Sequence, residues 1–477
     1  MPSWDLGIFT ELAQRYANVM VPIVDIKGPN YNLLGDHFHP LLVLLGPIFA
    51  FFPSGLTLLV VQNFLFALST IPLTRFARRR LGTMYGIGVG VAYAISFGLL
   101  EAIHSQFHEI AFAVPLLAYG LVSWLEGRRT AAAIELGLLV FVKEDLGLTV
   151  FMFGLVEVWR LWGERAARRV EKSAAVDSDG AQSVKKSIVR RPRRTLNDLF
   201  TTLSVKSATL PISLMLWGAA WFIAAIFIFL PALNPNGGWD YTGNIGGNTG
   251  SDESALAHIL EVFTPVEKWL TILLLIATAG VVGIRSPYMW IMLPTLAWRF
   301  LGNVVHYWGW HWHYSAILMP IAIVALIDGV KRIGSSRWIR EEWLPRLAGF
   351  AVVISLITNT FMAFNGSFGT HMRGEDDYYT LSDEEIGVAQ GAIEAVGKSR
   401  NVVTDLRLLA YLVPDNRVFW EGTVDDGDDV IDTVVSTPAS SVMNDDIAPA
   451  VWATNRFGGE WDVVYDRDGY TVVKRKN

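Results

Sequence analysis

The sequence has no cysteine, which excludes disulfides and thiolate metal sites. Charge is also scarce: Asp, Glu, Lys and Arg make up 18% of the 477 residues, against about 25% in ordinary soluble domains. No self-similar period relates the two halves of the chain, so the internal repeats common in secondary transporters find no support. What is abundant is apolar and aromatic. Half of the chain is hydrophobic (52%), with 18 Trp and 26 Phe, more than the core of a soluble enzyme of this length requires. The composition is that of a membrane protein.

The apolar residues fall in blocks near the length that crosses a bilayer, among them "GLTLLVVQNFLFALSTIPLT", "PISLMLWGAAWFIAAIFIFLP" and "AGFAVVISLITNTFMAF". They predict a mainly α, polytopic bundle of about ten spans: 56–75, 83–100, 110–126, a broken pair 131–142 and 148–162, then 209–231, 267–284, 288–305, 312–330 and 346–364. Basic clusters at Arg75, Arg78–Arg80, Arg128–Arg129, Arg285, Lys331–Arg346 and throughout 163–207 alternate with the spans, which orients those ends toward the cytoplasm. The basic 163–207 segment reads as a topogenic linker facing anionic lipid rather than a nucleic-acid site, and no nucleic-acid partner is expected. The same orientation puts residue 1 outside with no apolar segment to export it, which predicts about 20 further apolar residues upstream.

From about residue 365 the chain changes character. Acidic residues outnumber basic ones about twofold. Short alternating runs, "RNVVTDL", "NRVFW", "DVIDTVVS", "WDVVYD" and "GYTVVKRK", predict a small α/β domain over 365–477, outside the membrane on the non-cytoplasmic side, against a membrane domain of 1–364. "DDGDD" at 425–429 leaves room for calcium, and no catalytic motif is evident in the tail.

The same topology places all nine histidines in or beside outer segments. "GDHFHP" brings Asp36, His37 and His39 to the lip of the apolar run 40–52, which is too short to cross and is expected to lie along the outer leaflet. "HSQFHE" supplies His104, His108 and Glu109. If that segment is helical, the two histidines share a face, with three readings open: a metal pair, hydrogen bonding to a ligand, or interfacial packing. The order is not the HExxH of zinc proteases. "KED" places Lys143, Glu144 and Asp145 between the halves of the broken pair, where a polar hairpin cap and an inward-facing site are both possible. "NVVHYWGWHWHY", with His306, is an aromatic belt that can also stack on sugars, and Arg299 in "TLAWRFLGN" is a candidate phosphate partner or a snorkelling cation.

Near the start, "SWDLGIF" opens an amphipathic helix with Asp5 in its first turn. The succession "WDLGIF", "GDHFHPLLVLLGPIFAFFPSGLTLLVVQ", "HSQFHEIAFAVPLLAYGL" and "VKEDLGL" resembles the DUF2079 family of uncharacterised membrane proteins, which in turn look like members of the GT-C class of membrane glycosyltransferases. The resemblance covers about residues 3–365 and is most specific in the first 160. It implies an active site on the outer face, a polyprenyl-phosphate-linked sugar as donor, and an acidic residue in the first outer loop, the position that Asp5 occupies. Class members have a transmembrane helix before this aspartate, whereas four residues precede it here.

The resulting expectation is a multi-pass cell-membrane protein that transfers a lipid-linked sugar to a cell-envelope acceptor. Asp5, Asp36, Glu109 and Glu144 are the candidate catalytic carboxylates. His37, His39, His104, His108, Lys143, Asp145, Arg299 and His306 are candidate substrate ligands, with membrane lipids as partners and a divalent metal ion as a possible cofactor. The alternative is a transporter or flippase with its site at Lys143–Asp145.

Overall fold

The computed structural model describes residues 3–178, 206–238, 241, 264–334, 340–375, 381–427, 430–440 and 447–476. Much of the basic 163–207 linker, His258 and part of "DDGDD" lie outside these residues.

An amphipathic helix, α1 (Trp4–Ala17), opens the described chain. A run of short turns leads through Pro40–Leu44, a 3-10 turn, into α2 (Leu45–Phe51). Val43, Leu44, Ile48, Phe51 and Phe52 stay exposed there, as expected of an interfacial segment. Ser54 then caps α3 (Gly55–Leu81), accepting from the Leu56 N–H at 3.2 Å. At 27 residues α3 is about 40 Å long, and Arg78, Arg79 and Arg80 sit in its last turn before Gly82, whose φ of +91° ends it. After it come α4 (Thr83–Ala94), α5 (Phe97–His104), α6 (Ile110–Leu125), α7 (Arg129–Gly137) and α8 (Leu146–Ser178).

Among the described residues, five helical stretches are long and apolar enough to cross a membrane: Gly55–Leu81, Thr83–His104, Leu146–Arg169, Ser207–Leu233 and Leu344–Asn365. The other expected spans form shorter or broken helices. Block 110–126 is α6, and 131–142 is α7 followed by a 3-10 turn. Blocks 267–284 and 312–330 give Val266–Thr278 and Leu318–Gly334, and 288–305 gives a 3-10 turn followed by Leu293–Leu301. Two of these, α6 and Leu318–Gly334, are buried on nearly every face, so their apolar character serves the bundle core. Glycines allow a close helix pair: a Cβ on Gly147 would collide with the Gly218 carbonyl oxygen, and one on Gly218 with that of Gly147.

All five expected strands form: β1 (Asn401–Thr404), β2 (Arg417–Trp420), β3 (Thr433–Ser436), β4 (Trp461–Arg467) and β5 (Tyr470–Arg475). Their order is β2-β1-β3-β5-β4, with β1 parallel to β2 and β3, and β5 antiparallel to β3 and β4. Strand alternation divides the buried valines between two layers. Val402, Val418, Val435 and Val472 join the apolar core that runs through the helical bundle, whereas Val403, Phe419, Val434 and Val473 pack with Trp452, Phe457 and Trp461. The main core therefore continues across the 364/365 boundary. The first helix makes the junction: Trp4 meets Trp420 edge-on at 4.7 Å, Ser3 Oγ donates to the Leu406 carbonyl at 2.9 Å, and Gln14 Nε2 donates to that of Val413 at 2.6 Å.

Candidate functional site

Three helix starts converge at one end of the bundle. Glu109 immediately precedes α6, Lys143–Asp145 immediately precede α8, and Asp5 lies in the first turn of α1. The turn before α2 carries Asp36, His37 and His39 into the same place.

Lys143 does not pair with its own neighbours. Its Nζ lies 2.7 Å from Glu109 Oε1, and both side chains are largely buried. Glu144 turns the other way: it accepts from the Phe38 N–H at 3.0 Å, and its Oε1 lies 2.7 Å from His37 Nδ1. Asp145 Oδ2 accepts from Trp298 Nε1 at 3.0 Å. The "KED" tripeptide thus joins three elements, which favours an inward-facing site over a solvated hairpin cap. Asp36 is buried between Lys27 Nζ at 3.2 Å and the Tyr31 hydroxyl, which donates to it at 3.2 Å. His37 also stacks on Tyr241, with ring centres 4.6 Å apart.

These groups lie in connecting segments, and their protonation follows from their neighbours. Burial opposes the charge on Glu109, yet Lys143, with His37 and His108, holds its carboxyl well below the usual range. Burial and Lys143 oppose a charged His37, but Glu144 and Asp36 outweigh them and raise it. Asp36 is lowered by His37 and Lys27 in spite of its burial. Burial pushes His39 down to about 4, leaving a neutral imidazole, and pushes Asp145, beside Glu144, up to about 6 against the pull of Lys143. The result is a buried array with fixed plus and minus charges beside neutral donors and acceptors.

On the near side of this array stands Asp5. Its side chain is 44% exposed, and its Oδ2 lies 3.5 Å from Nε2 of the buried His108. His108 in turn stacks on His313 with ring centres 3.5 Å apart. Among the described residues, His39 Nδ1, His108 Nδ1, His313 Nδ1 and Asp145 Oδ1 are buried without a hydrogen-bond partner. Unpaired buried polar atoms occur elsewhere in the described chain as well, but they are costly in a purely structural cluster, and four belong to this one.

The model of the family described as "Predicted membrane protein (DUF2079)" matches residues 1–472. The chain belongs to that family. Among solved structures, this DUF2079 protein is similar to ArnT from Cupriavidus metallidurans bound to undecaprenyl phosphate, with a TM-score of 0.50 and 11% identity over 98% of this chain and 93% of that one. It also resembles ArnT of the same organism in the apo state, with a TM-score of 0.45 and 11% identity over 98% and 92%. No curated protein sequence matches the chain. At 11% identity the first likeness is one of fold, and it extends over nearly the whole DUF2079 chain, tail domain included.

Several expected site residues lie elsewhere. His104 and His108 do not share a helical face, because α5 ends at His104 and Gln106 takes a φ of +74°. The cause is Gln62 of α3, whose amide donates to the carbonyls of Ala102 and Gln106 at 3.2 and 2.9 Å and accepts from the His108 N–H at 3.1 Å. His104 packs edge-on against His371 instead, at 5.9 Å. The metal-pair reading falls with the helix, and among the described residues no group of three or more His, Asp or Glu is arranged to hold a metal ion. Arg299 is fully buried, but its guanidinium is not free for a phosphate: it donates to the carbonyls of Tyr307 and Gly309 at 2.8 and 2.6 Å and to Ser315 Oγ at 3.2 Å. It shapes the 307–315 loop and thereby seats His313. His306 is exposed among Tyr307, Trp312 and Tyr314, apart from the carboxylate cluster. Sequence reasoning did not single out Lys27, Tyr31, Trp298 or His313 for the site. The clustering of histidine in "HWHY" was the one available signal for the last.

Proposed function

We propose that this protein is a glycosyltransferase of the GT-C type that uses a polyprenyl-phosphate-linked sugar at the outer face of the cell membrane, with its tail domain on the same side. The observation that carries the reading is a half-exposed carboxylate, Asp5, beside a buried array in which Lys143 and His37 are held cationic. The likeness to ArnT, a structure bound to undecaprenyl phosphate, supports the lipid class.

Each group then has a task. The acceptor hydroxyl gives its proton to the Asp5 carboxylate as its oxygen attacks the anomeric carbon. The bond from that carbon to the phosphate oxygen breaks, and the electron pair leaves with the polyprenyl phosphate. That phosphate is a good leaving group, so it needs its charge stabilised rather than a proton, and Lys143 and His37 supply cations in a water-poor setting. Glu109, Glu144 and Asp36 hold those cations in place, while neutral His39, with His108 beside it, offers hydrogen bonds to the sugar. The aromatic string around His306 offers stacking faces for an acceptor. The interfacial segment 40–52 keeps the array at headgroup depth, where the donor's phosphate lies.

The test is transfer of radiolabelled sugar from a polyprenyl-phosphate donor by purified protein. Asp5→Asn is expected to lower the rate by about 10²–10⁴-fold with the melting temperature unchanged, since the side chain is half-exposed. His39→Ala is expected to raise KM more than it lowers kcat. Normal transfer by Asp5→Asn removes that carboxylate from the mechanism.

A further inference from the structure

A cavity lies at the opposite end of the bundle. Glu109 and Lys143–Asp145 mark the starts of α6 and α8, while Leu125, at the far end of α6, and Arg160, about 21 Å along α8, line a cavity of about 850 Å³. The arginine-rich end of α3 contributes Arg79 and Arg80, and Lys331 comes from the last turn of Leu318–Gly334.

Two features distinguish this cavity from a solvated basic loop. The first is its charge balance. Four cations and a single carboxylate, Asp328, line it. Asp328 is occupied by Arg332 at 2.5 Å and by Ser286 Oγ at 2.7 Å. Arg79 pairs with Glu126 and Arg160 with Glu157. Arg80 reaches the Leu125 carbonyl at 3.5 Å and lies over the Phe76 ring at 5.2 Å, and Lys331 has no hydrogen bond or ion pair among the described residues. Among the described residues, two positive charges therefore line the cavity without an anionic partner. The second is the rest of the lining, which is mostly apolar: Phe76, Leu125, Leu344 and Ala348 line the cavity beside the cations.

We propose that this cavity binds the phosphate headgroup of an anionic lipid, with Arg80 and Lys331 on the phosphate and the proximal chain against the Leu344 wall. A basic end alone would serve to orient the protein. A concave cavity with an apolar wall fits a molecule that is anionic at one end and greasy at the other. A free phosphate would use the same cations and leave the wall bare.

The full-length protein in detergent is titrated with short-chain phosphatidylglycerol, with phosphatidylcholine and with inorganic phosphate, and melting temperature is read. Phosphatidylglycerol is expected to raise it and the other two are not. Arg80→Gln/Lys331→Gln, at unchanged melting temperature in phosphatidylcholine, should need roughly 30-fold more phosphatidylglycerol for the same shift. Leu344→Trp keeps the cations but crowds the wall, and should lose the response as well. A double variant that responds like the wild type overturns the proposal. So does inorganic phosphate reproducing the shift while Leu344→Trp retains it, which would mark a soluble phosphate site. No sugar donor enters the assay, so its outcome is independent of transfer.

Discussion

Two buried charge clusters in this protein look alike by composition and differ in how completely they are paired. At the seam between α1 and the tail domain, Glu11 accepts from the N–H groups of Asp25 and Ile26 at 3.0 and 3.2 Å and from Arg15 at 3.2 Å. Asp25 takes Arg15 at 2.5 Å and, in bidentate fashion, Arg417 of β2 at 2.7 and 2.8 Å. Every oxygen of those two carboxylates has a partner. At the Lys143 cluster the charges are paired too, but among the described residues His39, His108, His313 and Asp145 each keep a buried atom without a partner, whereas the seam's charge network leaves only Arg15 Nε so. A nearly complete network fixes a geometry. A less complete one leaves donors and acceptors uncommitted, and this difference of degree marks the candidate site better than charge density does.

The largest way to break the contrast is at its most buried cation. Lys143→Met leaves Glu109 charged and unpaired, and should cost about 3–5 kcal/mol by thermal denaturation as well as all measurable transfer. A stable, active Lys143→Met would mean that Glu109 needs no counter-ion. At the seam, Asp25→Asn should cost somewhat less, about 2–3 kcal/mol, because Glu11 still holds Arg15, and the tail domain should become the first target of limited proteolysis. Transfer per folded molecule should be unchanged; a loss there would make the seam part of the active machinery.

A smaller effect concerns pH. His37 is raised above 6.5, so its share of the pair's stability is complete below that value and is lost as pH rises through its folded pKa. Glu144 is lowered below 4.5, so its share is complete above that value and is lost as pH falls. The difference in unfolding free energy between wild type and Glu144→Gln should therefore be widest between these two values, about 1–2 kcal/mol, and should close on the alkaline side. A difference independent of pH would indicate a neutral imidazole. The smallest expected perturbation tests orientation. Cysteines at exposed Arg128 and Thr454 should shift stability by less than about 0.5 kcal/mol, and an impermeant thiol reagent on intact cells should reach only Thr454. The reverse pattern would invert the topology.

Much of this architecture was legible in local pattern. The five strands lie within the alternating runs but for Arg467 at the end of β4, and the long apolar α3 and the arginines that end it follow from residue type and order. Gathering Asp36, His37, His39, Glu109 and Glu144 at one lip was also readable, because each sits where an apolar run begins. Pairing was not. That Lys143 would choose Glu109 over adjacent Glu144 depends on where two helix starts meet. That His104 and His108 would part depends on one glutamine about forty residues upstream. Arg299 shows the same limit: its residue type predicts a ligand for anions, and only the fold shows its three nitrogens bonded to two backbone carbonyls and Ser315.

The position of α1 has a mechanical consequence. Ser3 and Trp4, the residues immediately before Asp5, are fastened to Leu406 and Trp420 of the tail domain, and Gln14 near the other end of the helix is fastened to Val413. A 14-residue helix is a stiff rod of about 21 Å, pinned at both ends to the same body. The bundle holds the same helix from its other side, through the Leu6 N–H, which donates to Gln106 Oε1 at 3.3 Å, and through Phe9, which packs edge-on against Phe107 at 5.4 Å. The helix is thus a strut between tail and bundle, and any tilt of one against the other would be felt at Asp5 first.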